Sequence, residues 1–205
     1  MIKYEIISSG SKGNCVIIND IMIDCGVPFG SIKEQLYDIK YLLITHIHSD
    51  HVKEHILNRI KKMFPKIQII SNWEVAQRFG IDDIVNANFP VEFGFGTLTP
   101  FECIHDVVTY GYVIQMEGEN IIYATDTATL KNAPIPSEGY DYLFLESNHD
   151  EKKLEQVRNK NNYGYDPYKG GMRHLSTQKC KAFYYTHRRN KESPLIELHK
   201  SERFY

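Results

Sequence analysis

The sequence contains one compact cluster of side chains that could bind metal ions. Its pattern is H-x-H-x-D-H, formed by His46, His48, Asp50 and His51. Imidazole nitrogens and carboxylate oxygens are ligands of Zn²⁺, and they also suit Mn²⁺ or iron. Residues two apart on an extended segment project to the same side, so the first two histidines can share one metal ion. The aspartate and the last histidine follow the turn and can reach a second ion. The alternative is a group of surface histidines heading a helix, with Ser49 or Asp50 as its N-cap.

A buried strand and a helix must position this motif. Residues 41–44 are all apolar and predict a strand that is buried on both faces. The strand runs directly through Thr45 into the motif. Beyond the motif, apolar side chains recur at helical spacing, at Val52, Ile56, Leu57 and Ile60. The motif is therefore predicted to lie between the end of a core strand and the start of a helix.

The rest of the chain alternates between strand and helix patterns without an internal repeat or a linker. A hairpin is predicted for 15–18 and 21–24, and helices for 31–37, 72–79 and from residue 150 onward. Further strands are predicted at 67–70, 97–104, 109–116, 120–124, 142–145 and 183–185. Residues 159–171 are rich in Asn, Tyr and Gly and predict a long loop of functional character. We therefore expect a single domain over residues 1–205, with two sheets covered by helices.

Composition excludes several classes of protein. The chain has 205 residues, of which 42% are hydrophobic and 24% charged, as in globular proteins rather than disordered ones. No stretch approaches the roughly 20 apolar residues of a membrane helix, and the N-terminus enters a strand pattern without a signal region. The four cysteines have no CxxC spacing, so we expect reduced, inert thiols rather than a disulfide or a thiolate metal site. A cytoplasmic location without membrane contact is expected.

Charge is distributed unevenly along the chain. The net charge is −2, but residues 1–149 contain 11 Lys/Arg and 19 Asp/Glu, whereas residues 150–205 contain 13 and 7. The basic C-terminal quarter indicates an anionic partner near that segment, or else a solvated surface helix over residues 151–160. Both interpretations stay open at this point.

The motif resembles that of the metallo-β-lactamase superfamily, and other segments are similar as well. The resemblance implies an αββα sandwich, in which two packed β-sheets are flanked by helices. It also implies two divalent metal ions, zinc or alternatively manganese, roughly 3.5–4 Å apart. By this resemblance His105 and His187 complete the histidine ligands, and Asp126 bridges the ions. The implied ligands are His46, His48 and His105 for one ion, Asp50, His51 and His187 for the other, and Asp126 for both.

A narrower resemblance is to the YycJ/WalJ-like subgroup of bacterial and phage proteins, which are regarded as nucleases. It rests on residues 9–15, 22–26, 146–150 and 174–176. The chain departs from the subgroup at Thr177, where Asn is usual, and after His187, where Arg188, Arg189 and Asn190 replace the usual Leu-Ser continuation. These differences concern the identity of the substrate and leave the metal-binding pattern intact.

These resemblances imply a dinuclear hydrolase that cleaves phosphodiester bonds with a bridging hydroxide, and an exonuclease-like nuclease in particular. Asp50 and Asp126 would act as catalytic residues, and His174 would contact a phosphate or protonate the leaving group. Residues 159–189, with interleaved tyrosines, are expected to bind nucleic acid or a nucleotide. The leading candidates for contacts with phosphates are Arg173, His174, Arg188 and Arg189, with only one of the last two facing the substrate.

Other functions use the same ligands. A cyclic-nucleotide phosphodiesterase, for example a phage enzyme that degrades a nucleotide signal, is the first alternative. A lactamase or thioesterase is the second, and a scaffold protein with a vestigial site is the third. The long loop and the aromatic-rich tail could complete the site of a neighbouring subunit, which would make a homodimer. His149 could orient a metal ligand or be a core or capping histidine.

Overall fold

The computed structural model describes residues 2–158 and 166–205. Tyr163 and Tyr165, predicted to contact the substrate, lie outside the described residues. The chain divides into two compact units, Met1–Asn86 and Ala87–Tyr205, which are called unit 1 and unit 2 and are described in turn. The assignment of all residues to one domain stays a prediction.

Unit 1 contains a six-stranded mixed sheet in simple sequential order. Its strands are β1 (Tyr4–Ser8), β2 (Cys15–Ile18), β3 (Ile21–Ile23), β4 (Tyr41–Ile44), β5 (Gln68–Ser71) and β6 (Asp83–Ile84). The first three strands pair antiparallel, which confirms the predicted hairpin, and β3 to β6 pair parallel. Because parallel strands are buried on both faces, β4 is a continuous apolar run. The ends of β4 and β5 lie at the same edge, where Ile44 is level with Ser71.

Two α-helices belong to unit 1, α1 (Glu54–Met63) and α2 (Trp73–Phe79). Helix α1 buries Ile56, Leu57 and Ile60 against the sheet, as its spacing predicts. Residues 31–37 do not form the predicted helix. They form parts of two short 3-10 turns, Phe29–Ser31 and Gln35–Tyr37, and the N-terminus of neither turn has a side-chain cap hydrogen bond, so the predicted Ser31 cap is not made.

Helix α2 begins at Trp73, the only tryptophan of the chain. The residue before it, Asn72, contacts the segment that leads into the metal-binding motif. The Asn72 side chain accepts a hydrogen bond from Val75 N at 3.0 Å and so caps the helix. Its amide nitrogen donates to the carbonyl oxygen of Thr45 at 3.1 Å. Trp73 is 51% exposed. An exposed indole therefore follows directly after the residue that holds the segment leading into the motif.

Unit 2 contains the second six-stranded mixed sheet, in the order β12-β11-β10-β9-β8-β7. Its strands are β7 (Val91–Phe93), β8 (Gly96–Cys103), β9 (Thr109–Met116), β10 (Glu119–Ala124), β11 (Tyr142–Glu146) and β12 (Leu195–Leu198). The strands β7 to β10 pair antiparallel, and β10 to β12 pair parallel. Its helices are α3 (Glu151–Glu155), α4 (Pro167–Gly171) and α5 (Thr177–His187). The prediction of two sheets with accompanying helices is confirmed.

The predicted strand at 183–185 is wrong. These residues lie inside α5, which Ser176 caps by accepting a hydrogen bond from Lys179 N at 3.1 Å. The aromatic residues suggest a strand, but the cap and the good helix formers after it decide the local structure. Of the predicted charged helix at 151–160, residues 159–160 lie outside the described residues. Within 151–158 only α3 is α-helical, and α4 occupies the end of the predicted loop.

No helix in the described part of the chain is long and apolar enough to cross a membrane. The four cysteines, Cys15, Cys25, Cys103 and Cys180, are free and buried. Burial is the main reason that the pKa of Cys25, Cys103 and Cys180 rises to about 12, and it also raises that of Cys15.

Candidate metal centre

In unit 1 the histidines of the motif lie against one another at the end of β4. His46 is fully buried, and its Nε2 lies 3.1 Å from Nδ1 of His48. The rings of His46 and His51 have centroids 4.0 Å apart. Asp50 Oδ2 lies 3.7 Å from His51 Nε2, so the aspartate and the last histidine converge as predicted. The four residues therefore lie in a chain of pairwise contacts within unit 1.

A buried carboxylate that sequence reasoning did not assign holds this set. Asp24 is fully buried directly after β3, and its Oδ2 lies 2.7 Å from His51 Nδ1. The backbone N–H of Thr45 donates to Asp24 Oδ1 at 2.8 Å, and the Thr45 hydroxyl donates to the same carboxylate. That hydroxyl oxygen also lies 3.0 Å from Nδ1 of His46. Burial raises the pKa of Asp24, and the His51 imidazole and the Thr45 groups oppose the rise. One carboxylate thus orients the imidazole of His51 directly and that of His46 through the Thr45 hydroxyl.

A glycine allows the strand end and the motif to approach closely. A Cβ atom on Gly26 would lie 1.7 Å from the carbonyl oxygen of Asp50, so no larger residue fits without displacing the motif. Nearby, the Asn14 backbone N–H donates to the Asp50 carbonyl at 2.6 Å, and its side-chain nitrogen lies 2.9 Å from His51 Nε2. Asn14 and Gly26 therefore fix the backbone of Asp50 within unit 1.

In unit 2, Asp126 is the centre of a second group. It follows β10, is 3% exposed and has a left-handed backbone (φ 54°). Its Oδ1 lies 3.5 Å from His174 Nδ1, 3.8 Å from His199 Nε2 and 3.9 Å from His105 Nε2. The Ile104 backbone N–H donates to the Thr127 hydroxyl, which fixes the segment of His105 beside that of Asp126. The structure therefore brings together Asp126, His105 and His174, as the sequence predicted.

Glu146 is the buried carboxylate of unit 2, and it too was missed as a functional residue. Its Oε2 accepts hydrogen bonds from Thr127 N at 2.9 Å and Leu175 N at 3.0 Å. Its Oε1 lies 2.7 Å from His174 Nδ1 and 2.9 Å from His199 Nδ1. Burial alone would raise the pKa of Glu146, but the His174 imidazole outweighs it and the pKa falls. Burial alone would lower the pKa of His174, but Glu146 raises it. The sequence signal that could have identified Glu146 is a charged residue at the end of the apolar run of β11.

The structure does not bring His187 to this group, and this prediction needs correction. His187 ends helix α5, and its ring lies against Phe183 with centroids 4.5 Å apart. The ring near Asp126 is that of His199, which follows β12 and has φ 52°. The error followed from taking residues 183–185 as a strand, because a strand would have carried His187 to the sheet edge.

Two of the predicted phosphate-binding arginines are used elsewhere in unit 2. Arg189 forms ion pairs with Glu138 at 2.9 Å and Asp141 at 3.1 Å. Arg188 lies over the rings of Tyr184 and Tyr185. Neither guanidinium is recorded in contact with the Asp126 group, so the prediction that one of them faces the substrate there is not supported. The side chains of Arg188 and Arg189 are directed elsewhere because both residues follow the end of helix α5 and not the end of a strand.

Arg173 and His149 occupy different positions. Arg173 pairs with Asp106, whose other carboxylate oxygen lies 3.1 Å from His105 Nε2. It thus stays beside the Asp126 group. His149 is 3% exposed, and burial lowers its pKa. Its carbonyl oxygen accepts from Thr177 N, so its backbone supports the start of α5.

The donor chemistry of both units fits divalent transition metals. Imidazoles and carboxylates are the preferred ligands of zinc and manganese. In unit 2, Asp126, Glu146, His174 and His199 each offer an atom within 4.8 Å of the others. In both units a buried carboxylate lies at Nδ1 of a histidine, the arrangement that orients metal-binding histidines.

Comparison with known proteins assigns the family. Residues 20–188 match the profile of the β-lactamase superfamily domain. The chain belongs to the β-lactamase superfamily. Membership supports a metal-binding hydrolase of the metallo-β-lactamase fold, and the predicted αββα fold class is confirmed.

Solved structures agree with this superfamily fold. The metallo-β-lactamase fold protein YhfI from Bacillus subtilis has a TM-score of 0.71 and 16% identity, over 98% of this chain and 87% of that one. The short form of human tRNase Z has a TM-score of 0.66 and 14% identity, over 99% and 93%. A diphosphatase from the PhnP family has a TM-score of 0.66 and 16% identity, over 100% and 88%.

Proposed function

We propose that this protein is a metal-dependent phosphodiesterase that cleaves nucleic acid, a nuclease related to the YycJ/WalJ-like proteins. The observation that carries this proposal is the contact of His174 with both Glu146 and Asp126. Cleavage of a phosphodiester releases an alkoxide that must gain a proton, and a positioned imidazole can supply it. Glu146 holds the donor in place at 2.7 Å.

The metal ligands we propose are those that the geometry of each unit supports. In unit 1 they are His46, His48, Asp50 and His51. In unit 2 they are His105 and Asp126, with His199 in place of His187. Bound divalent ions would lower the pKa of a water molecule and neutralise charge on the phosphoryl group. Asp24 and Glu146 orient the imidazoles that bind them.

Further support comes from charge and from the neighbours. The C-terminal quarter carries the excess of cations that an anionic substrate requires. Two structurally similar proteins are named as a tRNase and a diphosphatase, names that denote reactions at phosphorus.

The test compares two leaving groups. His174→Ala is expected to lower kcat on a short oligonucleotide by about 100-fold or more, because the alkoxide then departs without a proton donor. The same variant should lose far less activity on bis-p-nitrophenyl phosphate, whose phenolate departs without help. Metal content, measured by mass spectrometry, should stay unchanged. His55→Ala, an exposed histidine on α1, is the matched control.

The outcome separates the proposed function from its alternatives. Equal losses on both substrates would assign His174 a structural role and remove the carrying observation. Hydrolysis of a lactam or thioester with no cleavage of either phosphodiester would overturn the proposal. A steep loss of affinity with salt favours a polymer bound through several phosphates, whereas a cyclic nucleotide should show a weak salt dependence.

A further inference from the structure

Unit 2 contains a cavity of about 380 Å³ outside the Asp126 group. One wall is the exposed face of helix α5, and the other is the segment that follows Asp126 and Thr127. Apolar side chains, including Leu130, Leu175 and Phe183, line its base. Its volume falls in the range of ligand-binding pockets, which begins at about 300 Å³.

The polar side chains of this cavity are cationic or neutral. Lys131 and Lys179 line it, and no aspartate or glutamate does. Neither lysine side chain has an ion-pair partner within residues 2–158 and 166–205. Two ammonium groups facing one cavity without a carboxylate favour an anionic ligand, and the apolar base favours one that also carries a flat or hydrophobic part.

The cavity is joined to the proposed catalytic group through Glu146. The N–H of Leu175, which lines the cavity and follows His174, donates to Glu146 Oε2. The N–H of Thr127 donates to the same oxygen, and the Thr127 hydroxyl donates to the carbonyl of Thr129 at the cavity wall. Both walls therefore begin within a few residues of the groups that would act on the scissile phosphate.

We propose that this cavity binds the nucleotide next to the scissile phosphodiester, with Lys131 and Lys179 pairing with its phosphate and the apolar base receiving its sugar or base. The proposal rests on the proposed function and deepens it. A subsite of this kind selects an oligonucleotide over a cyclic mononucleotide, which has no neighbouring nucleotide to place there.

The experiment removes the two lysines and keeps the fold. The double variant Lys131→Ala/Lys179→Ala is compared with Lys62→Ala/Lys66→Ala, which changes net charge equally at exposed lysines of unit 1 that do not line the cavity. We expect KM for a five-nucleotide single strand to rise about tenfold in the cavity variant only, while kcat/KM for bis-p-nitrophenyl phosphate stays within about twofold. Ala182→Trp, which fills the cavity without changing charge, should raise KM in the same way.

Binding without turnover gives an independent measurement. Fluorescence anisotropy of a labelled five-nucleotide strand on metal-free protein should show a salt dependence whose slope falls by about 0.7 in the cavity variant, the value for one lost phosphate contact on a single strand. Equal affinity and slope in both double variants would overturn the subsite. Absence of bis-p-nitrophenyl phosphate hydrolysis by the wild type would instead count against the proposed function, and the anisotropy would still decide the subsite.

Discussion

At the scale of single residues, each unit has one buried carboxylate that orients the imidazoles of its own ligand group. Asp24 in unit 1 and Glu146 in unit 2 each follow or end a buried strand and lie within 3 Å of histidine Nδ1 atoms. A buried carboxylate is costly unless it is paired and hydrogen-bonded. Each one is therefore retained for the imidazoles that it orients rather than for stability.

Asp24→Asn should weaken metal binding through the unit 1 ligands. The substitution replaces an acceptor of His51 Nδ1 with a neutral amide, and loss of such a supporting contact typically costs 10–100-fold in metal affinity. Competition with a zinc chelator measures the effect. Asp38→Asn, at an exposed carboxylate of the same unit, should bind zinc as the wild type does. Unchanged affinity in Asp24→Asn would contradict the role assigned to this carboxylate.

Glu146→Gln should impair catalysis more than any other conservative change in unit 2. Four donors converge on this carboxylate, and a glutamine amide would turn a donor toward some of them. We expect kcat on an oligonucleotide to fall by about 100-fold or more. The control is Glu102→Gln, an exposed carboxylate on β8. Oligonucleotide kinetics for Glu146→Gln equal to those of the control would refute the assignment.

At the scale of elements, helix α5 and its C-terminal flank decide which residues reach the centre. Arg189 follows the helix, and its ion pairs with Glu138 and Asp141 join that flank to the start of β11. Asp141 also accepts a hydrogen bond from Asn120 N at 2.7 Å. Arg189 is therefore a structural residue of unit 2.

Arg189→Ala should lower stability and spare activity. Charge-assisted hydrogen bonds of this kind contribute about 2 kcal/mol, so urea unfolding should show a loss of about that size in the free energy of unfolding. The value of kcat/KM on bis-p-nitrophenyl phosphate should not change. Lys191→Ala, which removes a nearby exposed cation, should affect neither quantity. If KM rises and the free energy of unfolding does not change, the prediction is wrong and Arg189 has a role in substrate binding.

The C-terminal tail holds His199 in position. Asn148 donates to the carbonyl oxygen of His199 at 2.9 Å, Ser201 N donates to Asn148 O, and Asp150 N donates to Phe204 O. Lys153 Nζ donates to the Tyr205 carbonyl oxygen. The tail thus packs back on the segment between β11 and α3.

Deletion of residues 202–205 should lower activity without unfolding unit 2. The deletion removes the last anchors of the tail and loosens His199, so we expect roughly a tenfold loss of kcat/KM and of zinc affinity. Circular dichroism should show retained secondary structure. His199→Ala should lose more activity than the deletion. Full activity in the deletion variant would show that the tail is not needed to position His199.

Local patterns predicted the ligand group of unit 1 and missed parts of the group in unit 2. The H-x-H-x-D-H motif, β4 and α1 are consecutive, so their spacing alone specifies their relation. His105 and Asp126 were predicted through the family resemblance. His199, by contrast, depends on the path of the chain through α5 and β12. Asp24 and Glu146 act through contacts between distant segments, which no spacing reveals.

At the scale of the whole molecule, each unit combines antiparallel and parallel strands in one six-stranded sheet. Left-handed backbone angles occur at Asp24, Asp126 and His199, all close to strand ends. Such angles cost energy in residues other than glycine, and they concentrate at functional sites. Each unit therefore has at least one strained residue after a strand that belongs to its own ligand group or supports it.

The four thiols should be unreactive toward thiol reagents in the native protein. Burial raises the pKa of each, to about 12 for Cys25, Cys103 and Cys180, so the reactive thiolate is scarce at pH 8. We expect no reaction with a thiol reagent before unfolding, and consumption of four equivalents of the reagent per chain after it.

Because the folded-state pKa values of the thiols exceed those of the unfolded chain, the contribution of the thiols to stability is complete below about pH 8.5 and declines as pH rises toward 12. The urea concentration at the unfolding midpoint should therefore be lower at pH 10 than at pH 8.

The position of Trp73 makes its fluorescence a probe of metal binding at the motif. The chain has one tryptophan, its indole is half-exposed, and the preceding residue is bonded to the carbonyl of Thr45, next to His46. All tryptophan emission therefore comes from the neighbourhood of the motif. Paramagnetic Co²⁺ or Cu²⁺ bound there should quench this emission, whereas Zn²⁺ should not. If this quenching is observed, occupancy of the unit 1 ligands can be followed in solution without a dye, a tag or a substrate.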